Sequence, residues 1–590
     1  MDNQPQPERI PGEARSRRTR KKPRPRRRPD QKLLLILMAI LFLLAICGVA
    51  FYVIKFAPTS EHIEPSKYFE ISGDEAAVMV DGELYTGADG SAPGMITGGE
   101  SYIRLDVVKD YMDDGYVYDD MECILRYATD QDVITASLNS PSYSIGRETV
   151  ELEAPIVIEE SDVYLSCGFL TQFTPVVCES YEDPGRIVVT SDDHDPDYAC
   201  ITRDTAVRRL GGPKSPIIRD AKKDDTVEIL ERYGKWTKVA TYDGYSGCVR
   251  SDRLDTKVAV DRVTSGLEPR EYQHILMDRQ VCLLWHQVTN TTANSSIGSV
   301  LSKVAGVNVI SPTWFAISNE EGGLSDIASL DYVNTCHARG IQVWGLISDF
   351  EHDIDVGPVL NVTSARDNLV NNVIAKAIAY NLDGINIDFE KVPATAADGY
   401  IQFIRELSIK CENNDLILSI DNYPPREYNR YYNRSEQAKY ADYVIVMAYD
   451  EHYSTSEEAG SNSSLPFVED ALEGTLSDVP NEQTILGLPF YVREFTTQDG
   501  QVSQRAFGMK DVDSYLTTNG IEAKWLEDLS QNYAEYEDAE GLHQLWIEDS
   551  RSLAMKMALI KDKKLGGGAF WKEGFENDNI WDVVIGYINQ

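Results

Sequence analysis

The sequence predicts a multidomain chain: an N-terminal transmembrane helix, a duplicated α+β module, a small all-β barrel and a C-terminal parallel (β/α)8 barrel. Three observations carry this. From residue 279 to 590, apolar strand-like runs alternate with helix-like segments eight times, the signature of a closed parallel barrel. Residues 33–54 pass without a single charge, long enough to cross a bilayer as a helix. Between these regions lie short strands broken by Gly, Pro, Asp and Lys turns.

Residues 1–32 hold twelve Lys or Arg against four acids, a net of +8, whereas the whole chain is −39, so the remainder sums to −47. So acidic a body argues against nucleic acid as a partner, because phosphate binding needs a basic surface. The basic tail is read with the apolar run after it. By the positive-inside rule, residues 1–32 stay in the cytoplasm, 33–54 form a single-pass membrane helix, and the body is extracytoplasmic. A cleaved signal peptide would show a shorter apolar core and a small-residue cleavage site, and neither is evident; a removed signal is the alternative. Residues 55–70 read as a linker. Cys47 lies in the span, the other eight cysteines show no CxxC pair, and the eight histidines are dispersed. No metal site and no cofactor are expected.

Residues 71–192 contain an internal echo. Tyr102-Ile-Arg-Leu-Asp-Val-Val is followed by a helix-like run and Val133-Ile-Thr, and Tyr164-Leu-Ser-Cys-Gly-Phe-Leu is followed in the same way by Ile187-Val-Val-Thr. Two strand–helix–strand units would fit. With the opening Val78-Met-Val-Asp-Gly-Glu-Leu, the region resembles the copper amine oxidase N-terminal-like module of bacterial wall-associated proteins. That resemblance implies a copper-free spacer or adhesion module.

Residues 199–255 read as a small β-barrel, with strands at Ala199–Val207, Thr226–Leu230, Trp236–Ala240 and Gly247–Val249. The order Arg208-Arg-Leu-Gly-Gly-Pro, Asp224-Asp-Thr-Val-Glu-Ile-Leu, Gly234-Lys-Trp-Thr-Lys-Val, Asp243-Gly-Tyr-Ser-Gly-Cys-Val resembles a bacterial SH3-type domain. The resemblance places the first and last strands side by side, which implies a Cys200–Cys248 disulfide. It also leaves two roles open, wall targeting and rigid spacing. Residues 256–278 form a polar linker.

In the last domain, 279–590, the expected strands are Val281–Trp285, Val307–Ser311, Gln342–Ile347, Gly384–Phe389, Ile417–Ile420, Tyr443–Met447, Thr484–Pro489 and Gly567–Phe570. The gap between the seventh and eighth leaves room for an inserted subdomain at 495–546, rich in Tyr and acids. In the fourth strand, Ile385, Ile387 and Phe389 alternate with Asn386, Asp388 and Glu390, the period-two pattern of a strand. A half-exposed strand would give the same alternation. Flanked by buried segments, however, an amide and two carboxylates turned inward are costly unless they are used. Two neighbouring carboxylates resist joint ionisation, so one should carry a raised pKa and serve as an acid, as glycosidic bond cleavage requires.

The stretch Asp383-Gly-Ile-Asn-Ile-Asp-Phe-Glu390 resembles the family 18 glycoside hydrolase signature, Asp-Gly-x-Asp-x-Asp-x-Glu. Val446-Met-Ala-Tyr-Asp450 resembles the family's sixth-strand segment and Gly487-Leu-Pro-Phe-Tyr-Val-Arg493 its seventh. Trp546-Ile-Glu-Asp-Ser-Arg-Ser552 and Leu565-Gly-Gly-Gly-Ala-Phe-Trp571 resemble its C-terminal segments, most of all in the peptidoglycan and spore-cortex branch. The resemblance implies Glu390 as general acid and then base, and Asp388 as the group orienting the substrate's 2-acetamido arm, which itself attacks the anomeric carbon. Tyr449 would hydrogen-bond that arm, Asp450 would position the sugar, and Trp571 would floor it. Tyr491 and Arg493 would be further contacts.

Asn386 departs from the family, which has Asp there. An amide can donate to Asp388 but cannot take its proton, which favours an ionised Asp388. The third-strand Ser-x-Gly-Gly is also absent; Trp344-Gly-Leu-Ile stands there, with Trp344 and Trp285 as candidate mouth residues. The implied function is a membrane-anchored, retaining endo-N-acetylglucosaminidase acting on peptidoglycan or another N-acetylglucosamine polymer on the wall side of the cell membrane. A chitinase or chito-oligosaccharide hydrolase, and a non-hydrolytic glycan-binding protein on the same fold, are the alternatives.

Overall fold

The computed structural model describes residues 31–588 apart from 87–90, 153, 160, 258–259 and 261. Residues 1–30 of the basic tail thus lie outside the described residues. The chain divides into two compact units, residues 1–68 with 196–259 and residues 69–195 with 260–590.

The first unit begins with one helix, Gln31–Phe56, none of whose residues is buried. It is long and apolar enough to cross a membrane, and a signal sequence has the same properties. The rest of the unit is a seven-stranded sheet. Its order is Ile217–Ala221, Thr205–Arg208, Ser246–Arg250, Trp236–Thr241, Thr226–Tyr233, Tyr198–Ile201, Leu254–Asp255. Two expectations are corrected here. The single strand expected at Ala199–Val207 breaks into two that occupy distant places in the sheet. The Cys200–Cys248 disulfide is absent, and both thiols are free. The first strand does pair with the last, but the last is Leu254–Asp255, so Cys200 lies opposite Asp255. Cys248 faces Arg208 and Lys238. It sits three strands away, roughly 14 Å along the sheet at the usual strand spacing, beyond disulfide reach.

In the second unit, residues 69–195 form an eight-stranded mixed sheet and a five-stranded meander, Val117–Glu151, around a shared apolar core that includes Val78, Ile103, Tyr127 and Phe169. The strand–helix half of the echo is present. Glu100–Arg104 runs into the helix Leu105–Tyr111, Asp162–Ser166 runs into Cys167–Leu170, and the two strands pair antiparallel. The third strands are not equivalent. Val133–Ser137 belongs to the meander and Arg186–Ser191 to the larger sheet, so two whole strand–helix–strand copies do not form.

The remainder is a closed barrel of eight parallel strands: β1 Val281–His286, β2 Val309–Ile317, β3 Gln342–Ser348, β4 Gly384–Asp388, β5 Ile417–Asn422, β6 Tyr443–Met447, β7 Thr484–Pro489 and β8 Gly567–Trp571. β1 pairs with both β2 and β8, which closes the ring. A side chain at position 567 would collide with the Val281 carbonyl, so glycine permits this closure. The lumen is plugged by Leu283, Trp344, Leu346, Tyr443, Ile445 and Ile485. Trp344 stacks on Tyr443, with centroids 5.6 Å apart, and donates to Gln342. It belongs to the plug and not to the mouth.

Residues 69–195 dock on the barrel's outer helices. Val362 offers no side-chain cap to the helix Thr363–Tyr380. Asp119 accepts Thr363 N at 2.6 Å and Glu122 accepts Ser364 N at 3.0 Å, so the module supplies the cap that the local sequence lacks. Arg126 pairs with Asp367 at 2.6 Å and lies 3.8 Å from Glu406, which in turn holds the buried Arg366 at 3.0 Å. The insertion after β7 is a five-stranded antiparallel sheet with one helix, Met509–Asn519. It begins at Tyr491 and ends at Ile547, so Tyr491 and Arg493 stand on its first strand and not on the barrel.

Candidate active site

Alternation along β4 turns Ile385 and Ile387 outward into the helix-packed core and Asn386 and Asp388 inward. Glu390 follows just past the strand end, and Phe389 between them packs on Phe403, with centroids 5.4 Å apart. Asp349, just after β3, accepts the backbone N–H groups of Glu390 and Lys391, each at 2.8 Å. That two-pronged hold fixes the peptide from which the Glu390 carboxyl projects. The carboxyls face a cavity of about 630 Å³ at the C-terminal mouth, lined by Trp285, Asp421, Tyr423, Tyr449, Asp450 and Trp571 among others. Among the described residues, no cluster of three or more His, Cys, Asp or Glu is arranged to hold a metal ion.

Asn386 is fully buried and is the hub of the floor. Its Oδ1 accepts from Trp285 Nε1 at 3.0 Å and Ser311 Oγ at 2.9 Å, and its Nδ2 donates to Ser419 Oγ at 3.1 Å and Asp421 Oδ1 at 2.8 Å. The amide therefore serves Asp421 and Ser419 and does not donate to Asp388. Burial, with the charges of Asp421, Glu390 and Asp349 added, pushes the Asp388 carboxyl well above the usual carboxylate range. The premise behind an ionised Asp388, an amide at 386 donating to it, is thus corrected. Asp388 Oδ1 is buried with no hydrogen-bond partner.

Glu390 is half-buried, and Tyr423 OH donates to its Oε2. Burial raises its pKa, the Tyr423 hydrogen bond opposes the rise, and the Asp349 and Asp450 charges add to it. A carboxyl whose pKa is raised at the rim of a cavity suits proton donation to a leaving oxygen. Asp450 adopts a left-handed backbone (φ 58°) just after β6. It is clamped by Tyr491 OH at 2.5 Å and by Arg493 Nη2 at 2.7 Å and Nε at 3.2 Å. Tyr491 and Arg493 thus act through Asp450 as well as lining the cavity. Burial drives the Tyr449 phenol well up, so it stays a donor; its ring meets Tyr491 edge-on at 6.2 Å. Trp571 packs edge-on against Trp285 at 6.0 Å.

The cavity thus brings together Glu390, Asp388, Tyr449, Asp450, Tyr491, Arg493 and Trp571, with Asn386 beneath as their support. It adds Asp421 and Tyr423, and Asp349 holds the Glu390 backbone from behind; the sequence reading names none of the three. The signal for two of them was present. Ser419, Asp421 and Tyr423 alternate with Leu418, Ile420 and Asn422, so β5 repeats the inward polar row of β4.

Residues 337–576 match the family model described as Glycosyl hydrolases family 18. A Bacillus subtilis protein named provisionally as the sporulation-specific glycosylase YdhD is 27% identical over 227 residues, 37% of this chain and 53% of the relative. The uncharacterized glycosylase YvbX of the same organism is 24% identical over 310 residues, 50% of this chain and 89% of the relative. Its cortical fragment-lytic enzyme is 25% identical over 240 residues, 39% of this chain and 56% of the relative. The chain spans about half the length of the first and third of these. Residues 337–576, about two fifths of the chain, are thus similar to family 18 glycosyl hydrolases.

Proposed function

We propose that the chain is a membrane-anchored, extracytoplasmic glycoside hydrolase that cleaves β-1,4 bonds next to N-acetylglucosamine in peptidoglycan, with retention of anomeric configuration. The observation that carries the reading is the pair Asp388 and Glu390. They stand two residues apart at one end of β4, both with carboxyls raised by burial and both facing one cavity. Glu390 gives its proton to the glycosidic oxygen as the bond breaks, and the substrate's own 2-acetamido oxygen closes on the anomeric carbon, the substrate-assisted variant of retaining hydrolysis. Asp388 and Tyr449 orient the acetamido arm, and the Asp450 clamp positions the sugar over the Trp571 ring, whose apolar face suits a pyranose. Glu390, now ionised, takes a proton from the water that opens the cyclic intermediate.

Peptidoglycan is favoured as substrate because one relative is named for lysis of cortical fragments. The helix Gln31–Phe56 behind a basic tail supports a retained anchor with the N-terminus cytoplasmic. On this reading residues 199–255 are an SH3-type module and 71–192 a copper-amine-oxidase-N-like module, both on the wall side. Mass spectrometry of the products from purified peptidoglycan tests the assignment. Fragments ending in N-acetylglucosamine at the new reducing end are expected. Fragments ending in the lactyl-bearing sugar, or no release beside rapid cleavage of chitin oligomers, would overturn it.

A further inference from the structure

The amide at position 386 leaves the site without a carboxylate below Asp388 on its own strand, yet a carboxylate is present. In the parallel β4–β5 ladder, Asn386 pairs with Ser419 and Ile387 with Ile420. One further step sets Asp388 abreast of Asp421, and both side chains point inward because Asn386 and Ser419 do. Asp421 is buried and lines the same cavity as Asp388 and Glu390.

The orientation of the Asn386 amide follows from its partners. Trp285 Nε1 can only donate, and it sits 3.0 Å from one arm of the amide. That arm is therefore the oxygen, and the NH2 must face Asp421 Oδ1 at 2.8 Å. Asp421 is thus held through Oδ1 by Asn386 and stands one ladder step across from Asp388, whose own Oδ1 is buried without a partner.

We propose that Asp421 is a positioning residue that shares a proton with Asp388 across the β4–β5 ladder, supplying from the neighbouring strand the carboxylate that position 386 lacks, with Asn386 holding it in register. This deepens the proposed function and rests on it. A proton held between the two acids keeps Asp388 neutral while the cavity is empty and leaves it free to ionise when a cationic intermediate forms beside it. The ionisable groups facing the pair are Glu390, Asp349, Tyr423, Tyr449 and Asp450, with Arg493 committed to Asp450. Burial, reinforced by the Glu390 charge and opposed by the Asn386 and Trp285 hydrogen bonds, pushes Asp421 up to about 8.

Two measurements on the full chain test this. The first needs no substrate. Infrared titration should show a buried protonated-carboxyl band lost as the pH passes about 8, and Asp421→Asn should remove that feature; an unchanged band in the variant overturns the proposal. The second is kinetic, on purified peptidoglycan. Asp421→Asn should lower kcat/KM by about a hundredfold and change the pH profile. The exchange Asn386→Asp with Asp421→Asn, which returns a carboxylate to β4, should recover at least about tenfold of the loss. Activity and profile of Asp421→Asn indistinguishable from wild type, or an exchange no better than the single variant in a chain that keeps its wild-type melting temperature, would overturn it. If the wild-type chain releases nothing from peptidoglycan, the proposed function falls and the infrared titration still decides the pairing.

Discussion

Replacing Glu406 by Gln probes what fixes the helices behind β4. Glu406 lies on the helix Ala397–Glu412, only 3% of its side chain is exposed, and it faces Arg366, 1% exposed, at 3.0 Å, and Arg126 at 3.8 Å. At an effective dielectric of about 20, charges at these separations attract by roughly 5 and 4 kcal/mol. Much of this offsets the cost of taking each ion out of water, so the intact pair contributes little net stability. Neutralising Glu406 alone removes the attraction and leaves the Arg366 desolvation cost in place. Arg366 then keeps only the Leu360 carbonyl at 2.6 Å and the new amide oxygen. The expected loss is about 3–5 kcal/mol, read as a fall of roughly 5–10 °C in the thermal unfolding of the barrel. A double replacement, Arg366→Met with Glu406→Met, should recover most of it. The neighbouring charges hold the Glu406 carboxyl below the usual range against burial, so the pair's contribution is present near neutral pH and fades as the pH falls through that range. A Glu406→Gln loss under about 1 kcal/mol, or a double replacement as unstable as the single one, would refute the reasoning.

Three further outcomes follow from the same structure. Tyr423→Phe deletes the hydrogen bond that opposes the rise in Glu390 pKa, so the alkaline limb of the activity profile should move to higher pH; a limb that stays or moves down would contradict the role of Tyr423. Asp119→Ala removes the cap on Thr363 N and should cost about 1 kcal/mol, seen as faster proteolysis within 363–380, with no change in KM. Asp388 and Asp421 are raised in the folded state, so the fold retains protons that the unfolded chain has released above about pH 4. Stability from this source is full below that pH and declines as pH rises through about 8. The melting temperature of Asp421→Asn relative to wild type should therefore climb between pH 5 and 9, and parallel curves would count against it.

The barrel was legible because each strand is an apolar run that a ring of helices must cover, and all eight predicted strands overlap those in the structure. The insertion starts earlier than expected because Phe490 alone separates β7 from the strand Tyr491–Gln498, with no turn signal between them. The SH3-type reading misplaced Cys248 because Leu254–Asp255, a two-residue strand too short for a pattern, takes the last position. Glu390 and Asp388 could be read from one strand's alternation. Asp421 required reading two strands in register, and pairing is not written in either strand alone. The capping of Thr363 by Asp119 and the Glu406 contacts join residues more than two hundred positions apart or on separate helices, so only the folded chain reveals them.

The most direct measurement of the central claim is the release of reducing ends from purified peptidoglycan by the Glu390→Gln chain beside wild type. The substitution keeps the shape of the side chain and its place beside Tyr423 while removing the carboxyl proton that the proposed mechanism delivers to the glycosidic oxygen. A loss of at least about a thousandfold in kcat, with binding of the glycan retained, is predicted. Turnover within tenfold of wild type would contradict Glu390 as the acid, and with it the reading of β4 on which the account stands.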